Sequence, residues 1–371
     1  MQVWLLLALL GALACSCNES GSSAGTNPGD APFAFQGSIL PSGRAPFFLA
    51  SGDLNRDGRP DLVVTNRDDD TLSALLGNGD GTFTGPVNTP TGSLPAGVDL
   101  ADFDQDGVLD AAVANRGAAS LSLFLGRADG TFVLASVTAV GDRPQAVVAR
   151  DFNRDDRPDV AVSNVGSNNL SVLLGVGNGT FVAVAPVPVG VAPVALEAAH
   201  LDDDGRLDLA VSNFNSNTVT VLFGNGSGGF TPVNALATGN HPFGLTLADL
   251  DEDGRRDVAV ANELDHTVSI YFGLQDHGLF RSPQVIAVGN GPDDLTAGDF
   301  NRDDTPDLAV TLERDNRVVL LRGPEFAPVF GTSTGIGPVR LESQDFDLDG
   351  RPDLAASNFF SSGVSLLLNR F

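Results

Sequence analysis

Short apolar runs and acidic turns alternate along this chain in an order that returns about every fifty residues. One unit shows the pattern: a run Gly244-Leu245-Thr246-Leu247-Ala248, an acidic segment, a β-branched run Val258-Ala259-Val260-Ala261-Asn262, then Thr267-Val268-Ser269-Ile270-Tyr271-Phe272 with apolar residues at every second place. Alternation with period two, bounded by Gly, Pro and Asn, predicts strands, and no segment has a helical period. A Gly-rich turn and a Phe close each unit, most clearly in Gly77-Asn78-Gly79-Asp80-Gly81-Thr82-Phe83. Each unit is therefore expected to be four short antiparallel strands, the content of one propeller blade.

The acidic segments open at Asp53, Asp102, Asp151, His200, Asp249, Asp299 and Asp345, at spacings of 49, 49, 49, 49, 50 and 46. Ten residues before each stands the Gly of a Gly-x-x-Pro turn, from Gly43/Pro46 to Gly335/Pro338. The Phe lies 30 residues after the opening acidic position in the first four units (Phe83, Phe132, Phe181, Phe230), and its seventh place would fall beyond Phe371. The seventh unit thus lacks its fourth strand, while an unclaimed strand, Phe33 to Leu40, precedes the first unit. These observations predict an all-β, seven-bladed propeller of four-stranded antiparallel blades over residues 33–371, closed 3+1 by the N-terminal strand. Closure removes the sheet edges that would otherwise pair with other chains. At the seam Phe33 and Phe35 straddle the expected Phe position, which Ala34 occupies.

Within each acidic segment, oxygen side chains recur at positions 1, 3, 5 and 9. They are Asp53, Asn55, Asp57 and Asp61; Asp102, Asp104, Asp106 and Asp110; Asp151, Asn153, Asp155 and Asp159; Asp202, Asp204 and Asp208; Asp249, Asp251, Asp253 and Asp257; Asp299, Asn301, Asp303 and Asp307; and Asp345, Asp347, Asp349 and Asp353. A hard divalent cation takes six to eight oxygens, which a tight loop supplies from alternate side chains and the position-7 carbonyl, so calcium is expected, up to seven ions. Position 6 must turn sharply, and it is Gly in five copies and Asp156 or Asp304 in two. An EF-hand does not fit, because position 12 is Val64 in the first copy and the flanks are strands. A solvated acidic turn would suffice for one copy, but seven repelling clusters need a better reason. The fourth copy has His200 at position 1, where calcium prefers oxygen, so that site is expected to be weak or empty.

Charge agrees with this reading. The formal charge is −26, all 21 basic residues are Arg, and 24 of the 47 acidic residues lie at the four loop positions. Seven divalent ions would bring −26 to −12. Without a cluster of cations, nucleic acid is not expected as a partner. The two Cys, Cys15 and Cys17, follow an apolar run from Val3 to Ala14 that is too short to span a bilayer and has the length of a signal-peptide core. Gly11-Ala12-Leu13-Ala14-Cys15 resembles the lipobox of bacterial lipoproteins, which makes residues 1–14 a signal peptide and Cys15 the lipidated residue. A second register ends at Cys17, and a simply cleaved signal is the other reading. Residues 15–32 have the Ser/Gly/Asn/Pro composition of a tether. Export to the outer membrane or cell surface by a lipid anchor, or else secretion, is expected, as a monomer.

The units resemble the FG-GAP/VCBS repeats of integrin α-subunit heads and bacterial surface proteins, their acidic loops being the diagnostic part and the Phe-Gly and Gly-Ala-Pro signatures being reduced to Gly-x-x-Pro. The resemblance implies calcium in the loop joining the first two strands of each blade and ligands on the opposite face. There Arg44, Phe47, Phe359 and Phe360 are the candidate ligand residues, with core packing as the other reading of the Phe side chains. Asp294 and Arg340 are expected at the channel mouth, as an ion pair or, with His241, as a catalytic cluster. The function expected is a calcium-stabilised binding or adhesion module for an extracellular protein or glycan, not an enzyme. The alternative is a carbohydrate-active lyase or dehydratase at the channel mouth, but the four His stand in different repeat contexts without a nucleophile or general-base constellation.

Overall fold

A computed structural model describes residues 33–202, 204–274 and 279–371. Among them all regular structure is β, arranged as seven antiparallel sheets. In the first blade the strands Pro46–Gly52, Asp61–Asn66, Thr71–Gly77 and Phe83–Pro90 run in order from the axis outward. Each inner strand touches the inner strand of the next blade, and Pro338–Gln344 returns to Pro46–Gly52, so the ring is closed. The protein is a seven-bladed β-propeller. The third blade splits its outer strand into Phe181–Ala183 and Val187–Pro188, and the fifth shortens it to Gln284–Ala287.

The second strand of every blade is buried from end to end, because both of its faces pack on neighbouring sheets. That is why it reads as a continuous apolar run ending in Asn, whereas the outer strands, exposed on one side, alternate. The terminal Asn ties the blade's turns together: Asn66 accepts a hydrogen bond from Gly43 N–H at 2.9 Å and donates to Thr71 and Ser73 Oγ atoms at 3.0 and 2.7 Å. The Gly of the Gly-x-x-Pro turn is required by this contact, since a Cβ on Gly43 would stand 2.6 Å from Asn66 Cγ. In the sixth blade Leu312, almost fully buried, occupies the Asn position.

The N-terminal strand closes the ring as expected. Phe35–Leu40 pairs with Gly363–Asn369 at the edge of the seventh sheet, Phe35 opposite Asn369 and Leu40 opposite Val364. In the first five blades the repeat Phe stands opposite a Gly, as Phe83 does opposite Gly77, and Asn369 holds that Gly's place 16 residues after the position-9 Asp, so Phe35 holds the equivalent register. The buried member of the pair is nevertheless Phe33, 5% exposed, in the cluster with Phe300. The two residues divide between them what one Phe does elsewhere. The segments read as signal peptide and tether, with Cys15, lie outside the described residues.

Candidate functional site

The acidic segments form the loops between first and second strands, all on one face of the ring. Their position-6 residues have positive φ throughout, from 64° at Asp156 to 86° at Gly254. So do the position-4 residues Arg56, Gln105, Arg154, Glu252, Arg302 and Leu348, at 58–63°. The sequence carries no signal for this second left-handed residue, because its side chains are unrelated. What they do differs: Arg56 Nε donates to Gly107 O at 2.8 Å, Gln105 Nε2 to Asp156 O at 3.1 Å, and Arg154 to Gly205 O, so loops one to four are latched in series.

The four repeated positions divide the work. Position 1 accepts the N–H groups of positions 5 and 6, as Asp102 does from Asp106 at 3.0 Å and Gly107 at 2.7 Å. Asp53, Asp151, Asp249, Asp299 and Asp345 do the same. Position 5 (Asp57, Asp106, Asp155, Asp204, Asp253, Asp303 and Asp349) accepts the position-7 N–H at 2.7–3.1 Å. Position 9 is a clamp. One carboxylate oxygen of Asp61, Asp110, Asp159, Asp208, Asp257, Asp307 and Asp353 accepts an N–H at the end of the third strand or just past it, at 2.7–3.1 Å. The other accepts the position-2 N–H, also at 2.7–3.1 Å. Burial raises these carboxyls, Asp110, Asp159 and Asp257 to about 6 and Asp307 and Asp353 to about 7.

Position 3 separates the loops. Where it is Asn55, Asn153 or Asn301, the amide donates to the position-5 carboxylate at 3.0–3.2 Å, and the loop satisfies itself. Where positions 1 and 3 are both Asp, in loops two, five and seven, three carboxylate oxygens lie within 4.8 Å of one another: Asp102, Asp104 and Asp110; Asp249, Asp251 and Asp257; Asp345, Asp347 and Asp353. These clusters can hold a metal ion. The fit is supported by buried oxygens that lack any partner, Asp251 Oδ1 and Asp347 Oδ1, since a buried acceptor is otherwise hydrogen-bonded. In the fourth loop His200 Nδ1 lies 2.7 Å from Arg206 O, so the His engages the position-7 carbonyl, and Asp202 accepts from Asp204 N–H at 2.9 Å.

On the opposite face, blades seven and one meet. Phe359 packs edge-on against Phe47, with ring centroids 5.8 Å apart, and Phe360 against Phe359 at 5.1 Å. Phe47 is buried, and Phe360 is 60% exposed. Arg44 bonds Asp69 at 2.6 Å, while Arg67, which sequence reasoning did not select, lies over Phe47 and Phe359 at 5.6 and 5.9 Å. Arg340 is buried and pairs with Asp294 at 3.4 Å. His241 stands instead beside Glu263, 3.9 Å away, and against the Phe214 ring at 4.1 Å.

A closed ring of seven four-stranded blades, each with an acidic loop joining its first two strands, defines a repeat propeller. The family model described as FG-GAP-like repeat matches residues 53–113, 151–211, 200–260 and 249–310, more than half of the chain. The chain belongs to this FG-GAP-like repeat family. No curated protein sequence matches it. Among solved structures it is similar to BBS1N in a complex with ARL6DN, at 15% identity over 90% of this chain and 96% of that one, with a TM-score of 0.65. It is also similar to a protein from Lactobacillus plantarum, at 18% identity over 80% and 86% of the two chains, TM-score 0.62. A third is the periplasmic gluconolactonase PpgL of Pseudomonas aeruginosa, at 17% over 76% and 84%, TM-score 0.60. At these identities the likeness is one of fold.

Proposed function

We propose that the protein is an exported, calcium-stabilised binding module of the cell surface, which recognises an extracellular protein or glycan on the face opposite the acidic loops. The observation that carries this reading is the aromatic ladder at the junction of blades seven and one. Its base, Phe47, is core; its tip, Phe360, is exposed beside Ile336, which is 56% exposed, and Arg67 lies over its two lower rings. Planar rings held by packing and flanked by Arg are the composition of binding hot spots, because they bury area with little loss of conformational freedom. Calcium is supported by the oxygen-only donor sets and by the unpartnered buried oxygens of Asp251 and Asp347.

Catalysis on carbohydrate would call for His241, Asp294 and Arg340 in one cluster. Asp294 and Arg340 pair, but His241 is engaged with Glu263 and Phe214. The test is binding of the intact chain to arrayed glycans and surface proteins, repeated with Phe360→Ala and Arg44→Ala. A loss of about 1–2 kcal/mol in affinity with the melting temperature unchanged is expected; affinity indifferent to both changes removes the site from this face.

A further inference from the structure

The axis of the ring holds a cavity of about 230 Å³, to whose wall all seven inner strands contribute. At about 30 Å³ per water this is room for roughly seven or eight waters, the size class of one small ring molecule. Among the Ala, Val and Leu residues of its wall stand six charged side chains, Asp99, Arg150, Glu197, Asp294, Arg340 and Glu342. Asp99, Glu197 and Glu342 stand at the same level, the fourth residue after the turn prolines Pro95, Pro193 and Pro338. Asp294 and Arg340 stand two residues nearer the turns.

Some of these groups are satisfied within the protein. Asp99 accepts from Ala149 N–H at 2.8 Å and lies 3.4 Å from Arg150; Asp294 accepts from Leu341 N–H at 3.0 Å; Glu342 accepts from the Ser51 hydroxyl at 2.7 Å. Glu197 faces Asp99, Asp294 and Glu342, with Arg150 as a counter-charge. Arg340 is the exception of the opposite sign. It is 4% exposed, its guanidinium carbon lies 4.0 Å from the centre of the Phe48 ring and 4.8 Å from that of Phe243, and its Nε and Nη2 have no acceptor. A buried donor without an acceptor is destabilising, because it gives up its bonds to water and gains none in return. The cavity therefore combines acceptors spaced around its wall on blades two, four and seven with two donor atoms, Arg340 Nε and Nη2, that have no acceptor.

These demands select a ligand class. One metal ion does not meet them: among the described residues only the three loop clusters bring three carboxylate oxygens within 4.8 Å. An ammonium group offers donors to the carboxylates and nothing to Arg340. A hydroxyl is both donor and acceptor, and a ring of hydroxyls can face several walls at once. We propose that the axial cavity binds a small polyhydroxylated molecule, a monosaccharide or cyclic polyol, whose hydroxyls donate to Glu197, Glu342 and Asp99 and accept from Arg340. Burial and mutual repulsion raise Glu197 to about 8 and Glu342 to about 7, so near neutral pH these carboxyls also offer protons to hydroxyl oxygens.

The cavity meets the aromatic ladder at its buried base, where Arg340 lies 6.0 Å from the Phe47 ring, and Phe360 at the exposed tip is not among the residues that line it, so the two readings fail separately. Saturation-transfer NMR and calorimetry on the intact protein, with glucose, galactose and myo-inositol at about 10 mM, a range suited to Kd values near 1 mM, should show binding of at least one. Glu197→Leu, which keeps bulk while removing a repelled carboxylate, should weaken that binding at least tenfold with the melting temperature preserved; Phe360→Ala should leave it unchanged. Absence of transfer to all three compounds overturns the proposal. So does binding of putrescine in their place, or affinity indifferent to Glu197→Leu.

Discussion

Asp104 differs from its counterparts in what surrounds it. In loops five and seven the acidic positions already hold Arg partners: Arg255 with Asp253, Arg281 with Asp251 at 3.6 Å, Arg351 with Asp349, and Arg370 with Asp347. The second loop has Val108 where those loops have Arg at position 7, and its ion pair is the long one from Arg56 to Asp106, 3.8 Å. With least competition from internal cations, loop two should be the tightest calcium site. Asp104→Asn should weaken the strongest step of a calorimetric calcium titration on the order of tenfold, since affinity in such loops follows ligand charge; an unchanged first step would assign it to another loop. Glu197 makes a prediction about pH. Its folded pKa of about 8 lies above the ordinary 4.5, held up by burial and by Asp99, Asp294 and Glu342 against the pull of Arg150. Its contribution is full below about pH 4.5 and is lost as pH rises to about 8. Glu197→Gln should therefore melt with a shallower decline across that window than the parent chain, and equal slopes would refute the shift.

At the scale of elements, the seam strand bears most on stability. Phe35–Leu40 supplies the outer edge of the seventh sheet, and Phe33 fills the cluster around Phe300 that a repeat Phe would otherwise fill. Removing residues 33–40 leaves the Gly363–Asn369 edge unpaired and should cause a large drop in melting temperature with aggregation. Phe33→Ala isolates the packing part and should cost about 3–5 kcal/mol in denaturant unfolding, as for other buried Phe residues. A cost below about 1 kcal/mol would show that Phe35 alone serves the seam. The loop elements are held by backbone N–H groups donated to carboxylates, and the position-9 clamp ties each loop to the third strand of its blade. The loop is thus positioned by the sheet.

For the whole molecule, the decisive quantity is the concentration of like charge on one face. Seven loops carry carboxylates on the same side of the ring, and only some meet an Arg. An ion that binds the folded ring alone stabilises it by mass action, about 2.7 kcal/mol per site at a hundred times Kd. EDTA should lower the melting temperature, calcium should restore it, and magnesium should restore it poorly because it resists dehydration and demands an octahedron. A melt unchanged by thorough chelation would mean that hydrogen bonds and Arg pairs alone hold the loops.

The period of the sequence was enough to set seven blades, their four strands, the loop positions and the 3+1 closure, because each is repeated locally: alternation marks strands, Gly and Pro mark turns, and a strand missing at one end must be supplied from the other. The position-9 clamp was legible as an invariant Asp but its hydrogen bonds were not, since their donors lie 7 residues before it and 16 after it. Asp294 and Arg340 were legible as a pair at the channel mouth, but Asp99, Glu197 and Glu342 escaped for a related reason. They stand on the inner strands of three blades, up to 243 positions apart between Asp99 and Glu342, within runs that otherwise read as ordinary inner strands. Ring closure alone brings them around one axis, where burial and mutual charge give them properties that no single repeat contains.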